Sequence, residues 1–189
     1  MILFVIGLGL FLGMHSISIV NRAWRDRMLT RLGEGPWKGL YSLVSLAGFA
    51  LLCYGYGISR ADPVMLYTPP AFLRHAAMLL LLPVFPLFAS VYLPGHLKAR
   101  ARHPMLLATK LWATAHLLVN GNLADVLLFG GFLAWAVADR IAVKRRPQTT
   151  VAIGPGARRN DVLAVVVGLA IYAIFVGWLH AKLIGVPLL

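Results

Sequence analysis

The sequence predicts an all-α membrane protein, a single-domain bundle of about six transmembrane helices with both chain termini outside the cytoplasm. Of its 189 residues, 60% are apolar and 13% are charged, whereas about 25% of the residues in a soluble domain are charged. Too few polar residues remain to cover a folded surface in water. Cys53 is the single cysteine, which excludes a disulfide scaffold. The sequence contains six apolar stretches separated by short polar breaks, and the basic residues are concentrated in alternate breaks. This pattern predicts a chain that crosses a membrane several times.

The apolar stretches set the element boundaries, because a helix needs roughly 20 residues to cross about 30 Å of hydrocarbon. Four stretches are long enough. The fourth and fifth are short and flank Asn120-Gly121-Asn122, which predicts a tight turn in an antiparallel hairpin. Pro83 and Pro86 predict a kink in the third span. The six predicted spans are residues 2–20, 39–58, 72–93, 105–119, 123–137 and 162–183.

We expect the first span to be a retained helix rather than a signal peptide. No charged residue precedes it, and the basic segment from Arg22 to Arg31 occupies the place of a small-residue cleavage site. Gly9, Gly13 and Ser16 share one face of this helix, which predicts that a neighbouring helix packs closely there.

The positive charge, +12 in total, indicates topology. The first, third and fifth breaks of a six-span chain face the same side, and they hold fourteen of the 18 basic residues. The positive-inside rule makes this side cytoplasmic and places both termini outside. Because the charge is explained by topology and no polar domain remains, nucleic-acid binding is excluded. The fourteen residues are Arg22, Arg25, Arg27, Arg31, Lys38, Lys98, Arg100, Arg102, Arg140, Lys144, Arg145, Arg146, Arg158 and Arg159.

Two histidines inside the predicted spans are the main candidates for function, because ionisable side chains are costly within a membrane. His15 lies nine residues before Trp24, and His116 lies eleven residues after Met105. At 1.5 Å per residue, both imidazoles lie about 13–17 Å above the cytoplasmic boundary. Two imidazoles at matched depth on different helices suit the iron of a b-type haem, whereas zinc favours four ligands. The alternative is that each histidine is hydrogen-bonded within the bundle and has no chemical role.

The fourth span carries a stripe of residues that suits a flat cofactor. Thr109, Trp112, Ala113, His116 and Asn120 recur at three- and four-residue spacing on one helix face. The small residues leave room for such a ligand, and we expect Trp112 to pack on it.

The remaining polar residues favour structural roles. Asp125 follows the predicted turn, and its negative charge suits the positive, N-terminal end of a helix dipole. His75 and His180 lie near the outer boundary of the membrane, and we expect both side chains to face the membrane interface. His103 flanks a basic loop, and Lys110 is close enough to the cytoplasmic face to extend its ammonium there.

One segment resembles the signature of a known family. It comprises Arg102-His103-Pro104-Met105, then Leu111-Trp112-Ala113-x-Ala115-His116-Leu117 and Asn120-Gly121. This pattern is similar to the NnrU family of small bacterial membrane proteins, which are associated with denitrification and nitric oxide metabolism. That family is in turn similar to the plant 15-cis-zeta-carotene isomerase, a haem b enzyme. The other residues that carry the resemblance are Met14-His15-Ser16, Phe72-Leu73-Arg74-His75, Trp135 and Asp139.

The resemblance implies a haem b site in a protein of the bacterial inner membrane. It assigns the axial ligands to His15 and His116, the two residues already paired by depth. Ala113 stands where the isomerase has a cysteine, so ligand exchange with sulfur is not available from that position. Trp112 would pack beside the haem, and Arg102 would lie at the headgroups within reach of a propionate. The implied partners are the lipid bilayer, the haem, and a hydrophobic polyene or a respiratory-chain protein.

A second resemblance supplies a competing class. Arg102-His103-Pro104 beside a membrane helix is also similar to a motif of isoprenylcysteine carboxyl methyltransferases, where it helps to bind S-adenosylmethionine. Those enzymes have an acidic pair after the following hairpin, whereas this chain has only Asp139. A membrane scaffold without a cofactor is the third class.

Overall fold

The computed structural model describes residues 1–146 and 156–188. The named elements in these ranges are all helices and none is a strand, which confirms the all-α class. The helices are α1 (Ile2–Val20), α2 (Arg22–Leu32), α3 (Glu34–Ser59), α4 (Leu73–Leu81), α5 (Val84–Tyr92), α6 (His96–Ala101), α7 (Pro104–Leu117), α8 (Leu123–Lys144), α9 (Ala157–Ile174) and α10 (His180–Ile184), with a π-helical turn at Phe175–Leu179 between the last two.

Five helical segments of the described chain are long and apolar enough to cross a membrane, rather than the six that we expected. They are Ile2–Val20, Glu34–Ser59, Leu73–Tyr92, Leu123–Lys144 and Ala157–Ile184. The fourth predicted span is the exception, because α7 has only 14 residues between Pro104 and Leu117. The fifth is longer than predicted, since α8 continues past Val137 to Lys144. The first polar break also contains a helix, α2, that hydropathy did not reveal.

Proline divides the third span, as predicted. α4 ends at Leu81 and α5 begins at Val84, so the break includes Pro83. The pyrrolidine nitrogen of Pro83 has no proton to donate to the preceding turn, and its ring disfavours a continuous helix. Pro86 is also buried, in the first turn of α5, where a missing N–H costs little.

The chain divides into two compact units, Met1–Pro69 with Asn120–Arg146, and Pro70–Val119 with Pro147–Leu189. In the first unit, α1 packs closely against α3 through glycines. A β-carbon at Gly48 would lie 2.8 Å from the backbone nitrogen of Phe11, and one at Gly55 would overlap the backbone of Phe4. The face of α1 that carries Gly9 and Gly13 does not pack on α3, because a β-carbon at either glycine would meet nothing within 4 Å in the described ranges, whereas one at Gly7 would overlap the backbone of Leu52.

In the second unit, α5 is the central helix. A β-carbon at Gly168 would overlap Pro86, so α9 approaches α5 at a position that only glycine permits. On α5 and α7, the side chains of Val84, Leu87 and Ala108 form a buried apolar cluster, against which Trp112 packs.

One contact of the second unit was not predicted from the sequence. The carboxylate of Asp161, at the start of α9, accepts hydrogen bonds from the backbone N–H groups of His96 and Leu97, at 3.0 and 2.9 Å. The His96 Nδ1 atom lies 3.0 Å from the same carboxylate. Asp161 therefore caps the short helix α6, which has no cap from its own sequence.

The two glycines Gly55 and Gly57 give a matched test of the contact between α1 and α3. We expect Gly55→Ala to lower the free energy of unfolding by about 1–3 kcal/mol, because the added methyl group forces the helices apart. Gly57→Ala should leave stability nearly unchanged, since a β-carbon there meets nothing within 4 Å. Thermal unfolding in detergent measures both variants, and equal melting temperatures would contradict the packing described.

The positions of the charges and helices also predict topology. Arg102 precedes α7 and Arg145 follows α8, so the positive-inside rule places the start of α7 and the end of α8 in the cytoplasm. α7, although only about 21 Å long at 1.5 Å per residue, must then carry the chain to the outer side. Reporters fused before Met1, between Val119 and Asn122, and after Leu189 should all read as non-cytoplasmic. A cytoplasmic signal from the reporter after Leu189 would contradict the six-crossing topology.

Candidate functional site

His15 lies on α1, in the first unit, where its own helix fixes the orientation of the ring. The His15 Nδ1 atom is 2.7 Å from the carbonyl oxygen of Phe11, one turn earlier. A carbonyl oxygen can only accept, so Nδ1 carries the proton and Nε2 of the neutral ring carries the lone pair. The Phe11 ring also stacks on the imidazole, with centroids 4.3 Å apart.

Aromatic side chains from two further helices surround His15. Tyr41 of α3 lies 5.5 Å from the imidazole between ring centroids. Trp135 of α8 meets it edge-on at 6.1 Å. Phe49 and Phe132 extend the cluster on the far side of Phe11, at 5.9 and 5.8 Å. Rings packed at these distances restrict the orientation of the half-buried imidazole.

His116 repeats the local arrangement on α7, in the second unit. Its Nδ1 atom is 2.9 Å from the carbonyl oxygen of Trp112, again one turn earlier, so the lone pair is on Nε2. The Trp112 and His116 rings are 5.3 Å apart between centroids. Among the predicted site residues, Trp112 therefore contacts His116. Arg102 lies two residues before the start of the same helix.

This hydrogen-bond pattern suits a metal ligand. Histidines that bind metals donate the proton on the other ring nitrogen to a carbonyl or carboxylate, which fixes the tautomer and raises ligand basicity. His180 has the same feature, with Nδ1 2.7 Å from the carbonyl oxygen of Val186. The pattern therefore suits each of His15, His116 and His180 to metal binding.

We expected the small residues of the stripe on α7 to leave room for a flat cofactor, and the structure differs from this prediction. Ala113 is fully buried and Thr109 is 9% exposed, so both positions are covered by protein. The Thr109 hydroxyl donates to the carbonyl oxygen of Met105, 2.9 Å away. The small side chains at these two positions therefore serve close packing, and the expected room beside them is not open.

Arg102 has an unusual backbone conformation. It is the only non-glycine residue with a positive φ in the described ranges, at 59° with ψ −48°. The backbone N–H of His103 donates to the carbonyl oxygen of Ala101, 2.6 Å away, across Arg102. These values define a γ-turn of the strained type, which turns the chain sharply between α6 and α7. The Arg102 side chain is exposed, whereas Pro104 is buried at the first position of α7.

A second polar centre in the first unit was only partly predicted. Asp125 is 5% exposed and lies in the first turn of α8, whose N-cap is Asn122. The Asp125 carboxylate accepts hydrogen bonds from the Tyr56 hydroxyl and from the Asn122 side-chain amide. The Asp125 backbone N–H donates back to Asn122 Oδ1 at 2.9 Å. The spacing predicted the helix-capping role, but the bond to Tyr56, 69 residues away, has no sequence signal.

Backbone bonds hold the loop after α3 beside this centre. The N–H groups of Leu66 and Tyr67 donate to the carbonyl oxygen of Gly121, at 2.8 and 3.2 Å. The Tyr67 hydroxyl donates to the carbonyl oxygen of Asn120 at 2.8 Å. Burial and the charge of Asp125 raise the pKa of Tyr67, so this hydroxyl stays protonated as a donor. A β-carbon at Gly121 would overlap the carbonyl oxygen of Tyr67, so this turn requires glycine.

Groups of three or more histidine, cysteine, aspartate or glutamate side chains that could hold a metal ion do not occur in the described ranges. A haem iron needs only two axial ligands from the protein, because the porphyrin supplies four nitrogen atoms. The ring tautomers of His15 and His116 and the aromatic surroundings of His15 fit that requirement.

Comparison with protein families gives one match, which covers nearly the whole chain. The description of the matching family is "NnrU protein", and the match extends over residues 3–188. Comparisons with curated proteins and with solved structures found no match.

Tyr56 and Tyr54 provide a matched test of the polar centre around Asp125. Tyr56→Phe removes a hydrogen-bond donor from a buried carboxylate, so we expect the free energy of unfolding to fall by about 1–3 kcal/mol. Tyr54 is 64% exposed on the same helix, and Tyr54→Phe should change stability little. Thermal unfolding in detergent compares the two. The assignment of Asp125 as a structural anchor would be wrong if Tyr56→Phe were as stable as Tyr54→Phe.

Proposed function

The chain belongs to the NnrU family, and we propose that it is a haem b protein of the bacterial inner membrane in which His15 and His116 are the axial ligands. The single observation that carries this proposal is the shared hydrogen bond from imidazole Nδ1 to the carbonyl oxygen one turn earlier. It leaves the lone pair of each neutral ring on Nε2, the atom that projects away from the helix backbone.

The residues around His15 and His116 have distinct tasks in this proposal. The carbonyl groups of Phe11 and Trp112 hold the two Nδ1 protons. The rings of Phe11 and Tyr41 restrict the rotation of His15. Trp112, beside His116, provides a flat apolar surface for a porphyrin face. A haem with two axial imidazoles supplies one-electron exchange when bound.

Family membership supports a role in denitrification or nitric oxide metabolism, as a redox or sensing component. An isomerase-like activity on a polyene is less well supported by this chain's residues. Ala113 occupies the position of the isomerase cysteine and is fully buried. Cys53 is the only cysteine of the sequence, and it lies on α3 with an exposed side chain. Exchange of a nitrogen ligand for sulfur would need a thiol beside His116, and α7 has none.

We expect purified protein to show the split visible bands of low-spin, bis-histidine haem b. His15→Ala and His116→Ala should each lose most of the bound haem. His180→Ala is the matched control, because its Nδ1 atom also donates to a backbone carbonyl oxygen but His180 is not assigned as a ligand. Visible absorption normalised to protein concentration measures all three.

Wild-type haem content in both single variants would contradict the ligand assignment. The methyltransferase alternative is tested on the same preparations by calorimetric titration with S-adenosylmethionine. We expect no heat above dilution, and saturable micromolar binding to haem-free protein would overturn the proposal.

A further inference from the structure

Two buried hydrogen-bond donors in the first unit have no acceptor. In residues 1–146 and 156–188, four buried side-chain polar atoms have no hydrogen-bond partner. Trp135 Nε1 and Arg140 Nη1 stand apart from the others because an indole and a guanidinium can only donate. The other two atoms are Ser45 Oγ and His103 Nε2.

Buried donors without acceptors are rare in native proteins and require an explanation. Arg140, which is half-buried, also makes no ion pair with a carboxylate of the described chain, so its buried Nη1 has no charged partner there. The most economical explanation is a negatively charged acceptor that residues 1–146 and 156–188 do not provide.

The position of the two donors indicates which acceptor this is. Both are on α8, and the indole of Trp135 meets the His15 imidazole edge-on at 6.1 Å between centroids. Arg140 follows five residues later, about 7.5 Å further along the axis towards Lys144 and about 140° around it, so its long side chain would have to extend across α8 to reach the same ligand. A haem bound through His15 carries two propionate carboxylates on one edge of the porphyrin, and carboxylates only accept hydrogen bonds.

We propose that Trp135 and Arg140 bind the propionates of the haem and direct the carboxylate edge of the porphyrin towards the Lys144 end of α8. This inference rests on the function proposed above. Arg140 suits this task better than Arg102, because Arg140 Nη1 is buried whereas the Arg102 side chain is exposed, and a charge-assisted bond is stronger away from water. Trp135 is therefore both part of the aromatic surroundings of His15 and a donor to the cofactor.

The test compares two forms of the cofactor in four proteins. Wild type, Trp135→Phe, Arg140→Gln and the double variant are each loaded with iron protoporphyrin IX or with its dimethyl ester, in which both carboxylates are blocked. The rate at which each cofactor leaves for an excess of apomyoglobin is followed by visible absorption. Trp178→Phe and Arg145→Gln are matched controls, because both side chains are exposed.

We expect wild-type protein to lose the dimethyl ester at least tenfold faster than the free acid, since a charged hydrogen bond is lost. The double variant should lose both forms at the same rate, and each single variant should show part of this change. Loss of the dimethyl ester should be equally fast in all proteins, which shows that the axial ligands are intact. The control variants should retain the wild-type preference.

Retention of the full preference by the double variant, or by both single variants if the double variant does not fold, would overturn the inference. Failure of wild-type protein to bind either form would instead contradict the proposed function. As a second readout, Arg140→Gln should lower the haem reduction potential, because removing a nearby positive charge favours the oxidised iron.

Discussion

Each proposed ligand depends on one hydrogen bond within its own helix, from imidazole Nδ1 to the carbonyl oxygen four residues earlier. In hydrocarbon this bond has no competition from water, so it fixes both the tautomer and the direction of the ring. For His15, three aromatic rings of the first unit reinforce that direction. The carbonyl oxygen accepts a side-chain donor in addition to its helical bond, which a carbonyl with two lone pairs allows.

Close helix packing makes the aromatic cluster possible. Gly48 and Gly55 let α3 approach the backbone of α1, which brings Tyr41 of α3 to His15. Asp125 anchors the opposite end of the same unit, where it joins the start of α8 to Tyr56 of α3. The polar anchor and the glycine contacts therefore hold three helices in register around a single imidazole.

Much of this arrangement was predictable from the sequence, because hydropathy and charge are local signals. Local sequence signals predicted the all-α class, the break at Pro83 and the turn before Asp125. The lengths of the helices were less predictable. α8 continues to Lys144, although the charged Arg140 ends the apolar stretch of the sequence before that point. The face of α1 that packs on α3 was not predicted, because glycines in the sequence do not reveal which neighbouring helix is present. The pairing of Tyr56 with Asp125 and the γ-turn at Arg102 depend on tertiary structure, which no local pattern encodes.

The central claim is that two histidine Nε2 atoms bind one iron atom, and pulsed electron paramagnetic resonance tests it most directly. Ferric protein is prepared with histidine labelled with ¹⁵N at Nε2 only, and the hyperfine couplings to the low-spin iron are measured. We predict two strongly coupled ¹⁵N nuclei per iron, in addition to the four ¹⁴N nuclei of the porphyrin. A high-spin spectrum, or couplings from fewer than two labelled nitrogen atoms, would contradict the account.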